Sequence, residues 1–236
     1  MKVNNNIKYS FILFIIVSII DIIGIVTHQI TLRNFAKPLI LITLMTYYFL
    51  SVKTTNKLYL VGLLFSFLGD VFLLNNGELY FILGLTSFLL AHILYIKITI
   101  GFINNKSIKN TVISVLPFVL FFIILILVLK PHLGKLIIPV IIYGIVISVF
   151  GMVATLNYLT QKKTANLWLF LGALFFIISD SILAFNKFYY AKEIYGIVIM
   201  GTYIIAQFMI CKSLIIHSKN NTKVVFNKQL IATPKK

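Results

Sequence analysis

Gly62-Leu-Leu-Phe-Ser-Phe-Leu-Gly-Asp70-Val-Phe-Leu73 returns later in the chain, without gaps, as Gly172-Ala-Leu-Phe-Phe-Ile-Ile-Ser-Asp180-Ser-Ile-Leu183. Glycine, leucine, phenylalanine, aspartate and the final leucine coincide. Both stretches lie in apolar runs, where a charged aspartate costs about 3 kcal/mol or more at the centre of a bilayer. Such a residue faces the interior of a helix bundle, and two at matched positions point to one shared site.

The match continues into the following helices. Glu78-Leu-Tyr80 aligns on Glu193-Ile-Tyr195, and Phe88-Leu-Leu-Ala91-His92 aligns on Tyr203-Ile-Ile-Ala206-Gln207. Helices 3–4 and 7–8 therefore read as duplicated hairpins. Four spans separate the copies, so they run in the same direction, as repeats related by an axis along the membrane normal do.

Composition sets the fold class. Hydrophobic residues make up 60% of the 236 and charged residues only 11%, against about 45–50% apolar in a soluble domain. Apolar runs reach the ~20 residues that cross a bilayer, and they number eight, near 9–27, 36–51, 58–74, 79–101, 112–129, 136–157, 167–185 and 194–216. The breaks between them are short and polar: Thr54-Thr-Asn-Lys57, Asn75-Asn-Gly77, Asn104-Asn-Lys106, Lys130-Pro131 and Gln161-Lys-Lys-Thr164. The expectation is an all-α, polytopic membrane bundle of about eight transmembrane helices over residues 1–217, with an internal parallel repeat. Residues 218–236 read as a basic, disordered cytoplasmic tail. The first run is long and lacks a small-x-small cleavage pattern, so it reads as a retained span.

A net charge of +16 could suggest nucleic acid. The lysines are instead scattered at span ends and in the tail, with no nucleic-acid motif, so the partners expected are lipids and not nucleic acid. Of the 21 cations, fifteen fall on the side of the termini and six (Arg33, Lys37, Lys130, Lys135, Lys187 and Lys192) on the other. The positive-inside rule then places both termini in the cytoplasm, with anionic lipid at the basic face, in a bacterial cytoplasmic membrane. One cysteine, Cys211, and histidines scattered at 28, 92, 132 and 217 offer no metal cluster, and no cofactor motif is present.

Phe35-Ala-Lys37-Pro38-Leu39, Phe65-Ser-Phe-Leu-Gly69-Asp70, Ser87-Phe88 with Ala91-His92 and Tyr95, and Gly172-Ala-Leu-Phe175 with Ser179-Asp180-Ser181 together resemble the YhhN family, from Phe35 to about Cys211. The resemblance implies a membrane-embedded hydrolase that cleaves the vinyl ether bond of lysoplasmalogens, giving a fatty aldehyde and a glycerophospho-alcohol, with Asp70 and Asp180 as the catalytic pair. It also brings Lys37, Tyr143, Ser179, His92 and Tyr95 into the candidate substrate-binding set, to which the repeat adds Gln207 as the counterpart of His92. Lys37 is a plausible partner for the lipid phosphate. For His92, deeper in helix 4 than the aspartates, a hydrogen bond between helices is the favoured role.

Acid hydrolysis of a vinyl ether begins with protonation of carbon to give an oxocarbenium ion, to which water adds. The reaction wants one carboxylic acid and one carboxylate, as glycosidases do for a related transition state. Asp70 and Asp180 can divide those roles, and the sequence leaves open which is the acid. Asp21, in helix 1, has no repeat partner and no assigned role. Two other classes suit buried carboxylates in a duplicated bundle: a proton-coupled transporter of small molecules or lipids, and a lipid-binding membrane protein without catalysis.

Overall fold

In lipid a backbone finds no water to bond, so apolar runs of this length satisfy their N–H and C=O groups by forming helices. The computed structural model describes residues 5–104 and 107–232, with side chains as far as Asn220. Lys2, Lys106, Lys235 and Lys236, counted above in the orientation argument, lie outside the described residues. Eight α-helices carry the fold: α1 (Asn5–Val26), α2 (Ile30–Ser51), α3 (Lys57–Phe72), α4 (Glu78–Ile100), α5 (Ile108–Leu129), α6 (Ile137–Thr160), α7 (Thr164–Ala184) and α8 (Glu193–Ala232). No strand occurs among the described residues.

Six of the eight are long and apolar enough to cross a membrane, α2 and α3 being the exceptions. Helix α3 has only 16 residues, and α2 carries Arg33, Asn34 and Lys37 in its first turns. Helix α2 also begins at Ile30, six residues before the apolar run suggests. Helix α8 continues past Ser218, where the sequence reads as a polar tail, because neither glycine nor proline interrupts residues 218–232.

Several ends have visible causes. The Asn56 side chain accepts the Tyr59 N–H at 3.2 Å and so caps α3. Glu78 and Glu193, the matched acids, are the first residues of α4 and α8, where negative charge meets the positive end of the helix dipole. His28 closes α1 with a left-handed φ of 54°. Gln29 N–H reaches Gly24 C=O at 2.9 Å and His28 N–H reaches Ile25 C=O at 3.3 Å, the paired bonds of a Schellman cap. The resulting turn lays the start of α2 directly on the end of α1.

Consecutive helices pack as hairpins, except that α4 leaves its neighbour α5 to pack on α6. Helices α1 and α2 close onto α8, and α5 lies outside, against α6. The chain thus reads as α1–α4 followed by α5–α8, each half ending in one of the duplicated hairpins.

Those hairpins share their contacts residue by residue. A Cβ on Gly62 would come within 2.5 Å of the Tyr95 ring, and one on Gly172 within 2.8 Å of Ile210. In the alignment Tyr95 corresponds to Ile210, so the two glycines admit equivalent side chains. Further along, Gly69 and Gly84 bring α3 and α4 together, with the Gly69 carbonyl 3.4 Å from a Cβ built at Gly84. The second copy places Ser179 and Ile199 there, and Ser179 Oγ donates to the Ile199 carbonyl at 2.9 Å. Close approach in one hairpin is replaced by a hydrogen bond in the other.

Gly62→Ala must push the Tyr95 ring aside, and the expected loss is about 1–3 kcal/mol. Gly201→Ala, where nothing lies within 4 Å of the new atom, should leave stability unchanged or raise it. Thermal melting of the two variants in detergent checks the contrast; equal effects would show that the Gly62 contact carries no weight.

Candidate functional site

Lys37 and Asp70 lie equally far from the α2–α3 turn, one before it and one after, and Tyr143 and Asp180 stand in the same relation to the α6–α7 turn. Antiparallel neighbours therefore bring each aspartate level with one polar residue. Lys37 Nζ is 3.6 Å from Asp70 Oδ1, with both side chains almost fully buried. Tyr143 OH donates to Asp180 Oδ2. Among the described residues no cation forms an ion pair with Asp180.

Asp70 has a second donor. Tyr203 OH reaches its Oδ2 at 2.7 Å, from the opposite copy of the hairpin. Tyr203 is the repeat counterpart of Phe88, which lines the same space but has no hydroxyl to offer. The Asp70 carboxylate thus has a cation on one oxygen and a phenol on the other, whereas Asp180 has a phenol alone.

Both aspartates line one cavity of about 310 Å³, together with Lys37, Ser179, Phe88 and Tyr203. It reaches the α3–α4 turn at Asn75–Gly77 and the end of α7 at Asn186 and Lys187. Residues Phe185–Tyr189 there form a π turn, a wider winding that recurs at functional sites. Asp180 also borders a narrow apolar crevice of about 40 Å³ between α4, α5, α6 and α7, walled by Leu85, Phe121, Leu125, Ile147 and Ile177. A polar cavity and an apolar crevice thus meet at one carboxyl group.

Beneath the cavity lies a buried polar chain. Gln207 Nε2 donates to Tyr203 OH at 3.3 Å, Tyr95 OH donates to Gln207 Oε1 at 3.5 Å, and the Tyr95 hydroxyl is 3.4 Å from Ser66 Oγ. His92, the counterpart of Gln207, makes no hydrogen bond to another helix. Its ring is enclosed by aromatic neighbours, edge to face with Phe176 at 4.4 Å and Tyr143 at 5.8 Å between centroids and tilted against Phe150 at 5.6 Å. The hydrogen bond between helices expected of His92 is therefore replaced by aromatic packing, because Phe150 and Phe176 occupy the positions a polar partner would need.

Of the candidate residues, Asp70, Asp180, Lys37 and Ser179 come together on the cavity wall, and Tyr143 joins them through Asp180. His92, Tyr95 and Gln207 do not line it. Among the lining residues outside that candidate set are Tyr203, which bonds Asp70, and Arg33. Tyr203 was signalled by the repeat itself, as the position where a hydroxyl replaces the bare ring of Phe88. Arg33 had no signal, since it precedes the apolar run of α2. The described residues hold no group of three or more histidine, cysteine and acidic side chains able to bind a metal.

The family model described as the YhhN family matches residues 32–214. The chain is also similar to human (Homo sapiens) lysoplasmalogenase TMEM86A, at 29% identity over 165 residues, which cover 65% of this chain and 63% of that protein. No solved structure matches.

Lys37→Met leaves a buried carboxylate without its cation, and the expected loss of stability is about 3–5 kcal/mol. Lys37→Met combined with Asp70→Asn removes both charges and should recover most of it. Chemical denaturation in detergent reads the cycle; a double variant as unstable as the single one would show that the pair contributes nothing beyond packing.

Proposed function

The chain belongs to the YhhN family, and on that footing we propose that it hydrolyses the vinyl ether bond of lysoplasmalogen-type lysophospholipids, with Asp180 as the acid and Asp70 as the carboxylate. The observation that carries this reading is the unlike setting of two matched aspartates on one cavity. The ion-paired Asp70 suits the charged role. Asp180, beside a phenol and at the mouth of an apolar crevice, suits the role of a proton donor to carbon.

In this mechanism the alkenyl chain lies in the crevice and the glycerol in the cavity. Tyr143 occupies Asp180 Oδ2 as a donor, which leaves the acidic proton on Oδ1. That proton passes to the carbon of the double bond remote from the ether oxygen, and the remaining oxocarbenium ion is stabilised by the Asp70 carboxylate. Water adds to the carbon that carries the oxygen and gives its proton to Asp70. The hemiacetal then collapses: Asp70 returns the proton to the departing glycerol oxygen, and the hemiacetal hydroxyl proton goes to Asp180. One water is consumed, an aldehyde and a glycerophospho-alcohol leave, and both carboxyl groups regain their starting states. The described lengths of α3 and α7 around the aspartates are unbroken helix, which favours a fixed pair of catalytic groups over the discontinuous helices of many transporters.

The test is aldehyde release from a lysoplasmalogen by the purified full chain in detergent. General acid–base groups contribute about 10²–10⁴-fold, so Asp180→Asn and Asp70→Asn should each lose at least about a hundredfold. In D₂O the aldehyde should carry one deuterium on the carbon next to the carbonyl, since the first proton goes to carbon. Turnover at the wild-type rate in either variant would end the two-carboxylate mechanism, and aldehyde without deuterium would end protonation at carbon.

A further inference from the structure

The lysine that the sequence offered for the lipid phosphate is already engaged: Lys37 faces Asp70 at 3.6 Å inside the protein. A phosphate there would have to displace a catalytic carboxylate. Another cation on the same wall has no such commitment. Arg33, one turn before Lys37 on α2, lines the same cavity, and its Nε is buried without a hydrogen-bond partner. We infer that Arg33 is the phosphate anchor of the site, selecting amphiphiles that carry a phosphate group on the glycerol.

Its place in the fold fits that task. The Arg33 stem crosses α1 at Gly24, where a Cβ would come within 2.8 Å of Arg33 Cγ. The absence of a side chain at Gly24 thus lets the stem pass and fixes its direction. Asp21 lies one turn away on α1, fully buried, near enough to feel the charges of Arg33 and Lys37. It forms no ion pair with either, and both its oxygens lack partners. The Arg33 guanidinium is therefore left without an ion pair to Asp21.

Arg33 also stands at a neck. It lines the aspartate cavity and, with Asn186 and Gly196, an outer space of about 330 Å³ that reaches His28 and Lys192. Four residues of helix rise about 6 Å, so Arg33 lies roughly that far outward from Lys37 and Asp70. In a lysoplasmalogen the glycerol carbons separate the reacting ether from the phosphate by a similar length. With the ether at the aspartates, the phosphate falls at Arg33 and the headgroup alcohol passes into the outer space. Lys187 stands at the far rim, its Nζ 5.5 Å from the centre of the Phe81 ring, and supplies a second cation. A planar guanidinium matches phosphate oxygens with two parallel bonds.

This inference rests on the proposed lysolipid substrate, so the test uses a ligand that is not cleaved. Isothermal titration calorimetry of the purified full chain in detergent would compare a short-chain saturated 1-O-alkyl lysophospholipid, the 1-O-alkylglycerol of the same chain length, and inorganic phosphate. Arg33→Ala should weaken the lysophospholipid about tenfold or more and leave the alkylglycerol unchanged. Arg33→Lys should fall between, having the charge without the fork. Inorganic phosphate alone should bind far more weakly than the lysophospholipid. Lys187→Ala, at an exposed position, should show the same selectivity with a smaller loss, and serves if Arg33→Ala does not fold. Equal weakening of both lipids, or of neither, would overturn the assignment, and inorganic phosphate binding as tightly as the lysophospholipid would make this a free-anion site. These results hold whether or not aldehyde is released from the vinyl ether, which is the separate test of the reaction.

Discussion

Neither Lys37 nor Asp70 could remain where it is without the other. Each is almost fully buried in a bundle whose outer surface is apolar, and an isolated charge there would carry a solvation penalty of several kcal/mol. Their pairing also fixes geometry. It pins the start of α2 to the end of α3, and through Tyr203 it ties both to α8. Three helices from different parts of the chain thus converge on one carboxylate, and the cavity is the space they leave above it.

Duplication explains how a second carboxylate came to share that space, and divergence explains why the two are not equivalent. Phe88 and Tyr203 occupy matched positions and meet edge to face at 5.8 Å, yet only Tyr203 can donate. His92 and Gln207 are likewise matched, one enclosed by aromatic rings and the other bonded into a polar chain. The scaffold kept its symmetry in glycines and packing, while a handful of side chains broke it around the two aspartates. Two carboxyl groups of one kind are thus set apart by what surrounds them.

Much of this was written in the sequence because membranes make strong demands. Apolar runs marked the helices, and a pair of aspartates inside duplicated runs pointed to the cavity that both of them line. Other features turned on partners that no local pattern reveals. Arg33 lies in a polar stretch that reads as a loop, and only the Schellman turn at His28 winds it into α2 against Gly24. That Lys37 and not Arg33 reaches Asp70 is a matter of helix register across the α2–α3 turn. The enclosure of His92 depended on α6 and α7 supplying rings rather than acceptors.

The shortness of α3 has a bearing on the lipid around it. Sixteen residues rise about 24 Å, several ångströms less than the ~30 Å hydrocarbon layer of a typical bilayer. Hydrophobic mismatch of this kind is relieved by local thinning of the bilayer or by flanking polar groups reaching out past the helix end. Asp70 stands two residues before the end of α3 and the Asn75–Gly77 turn follows directly, so the carboxyl group is buried within the protein yet close to the end of its helix. A short helix thus sets its acidic residue near the boundary where polar and apolar surroundings meet.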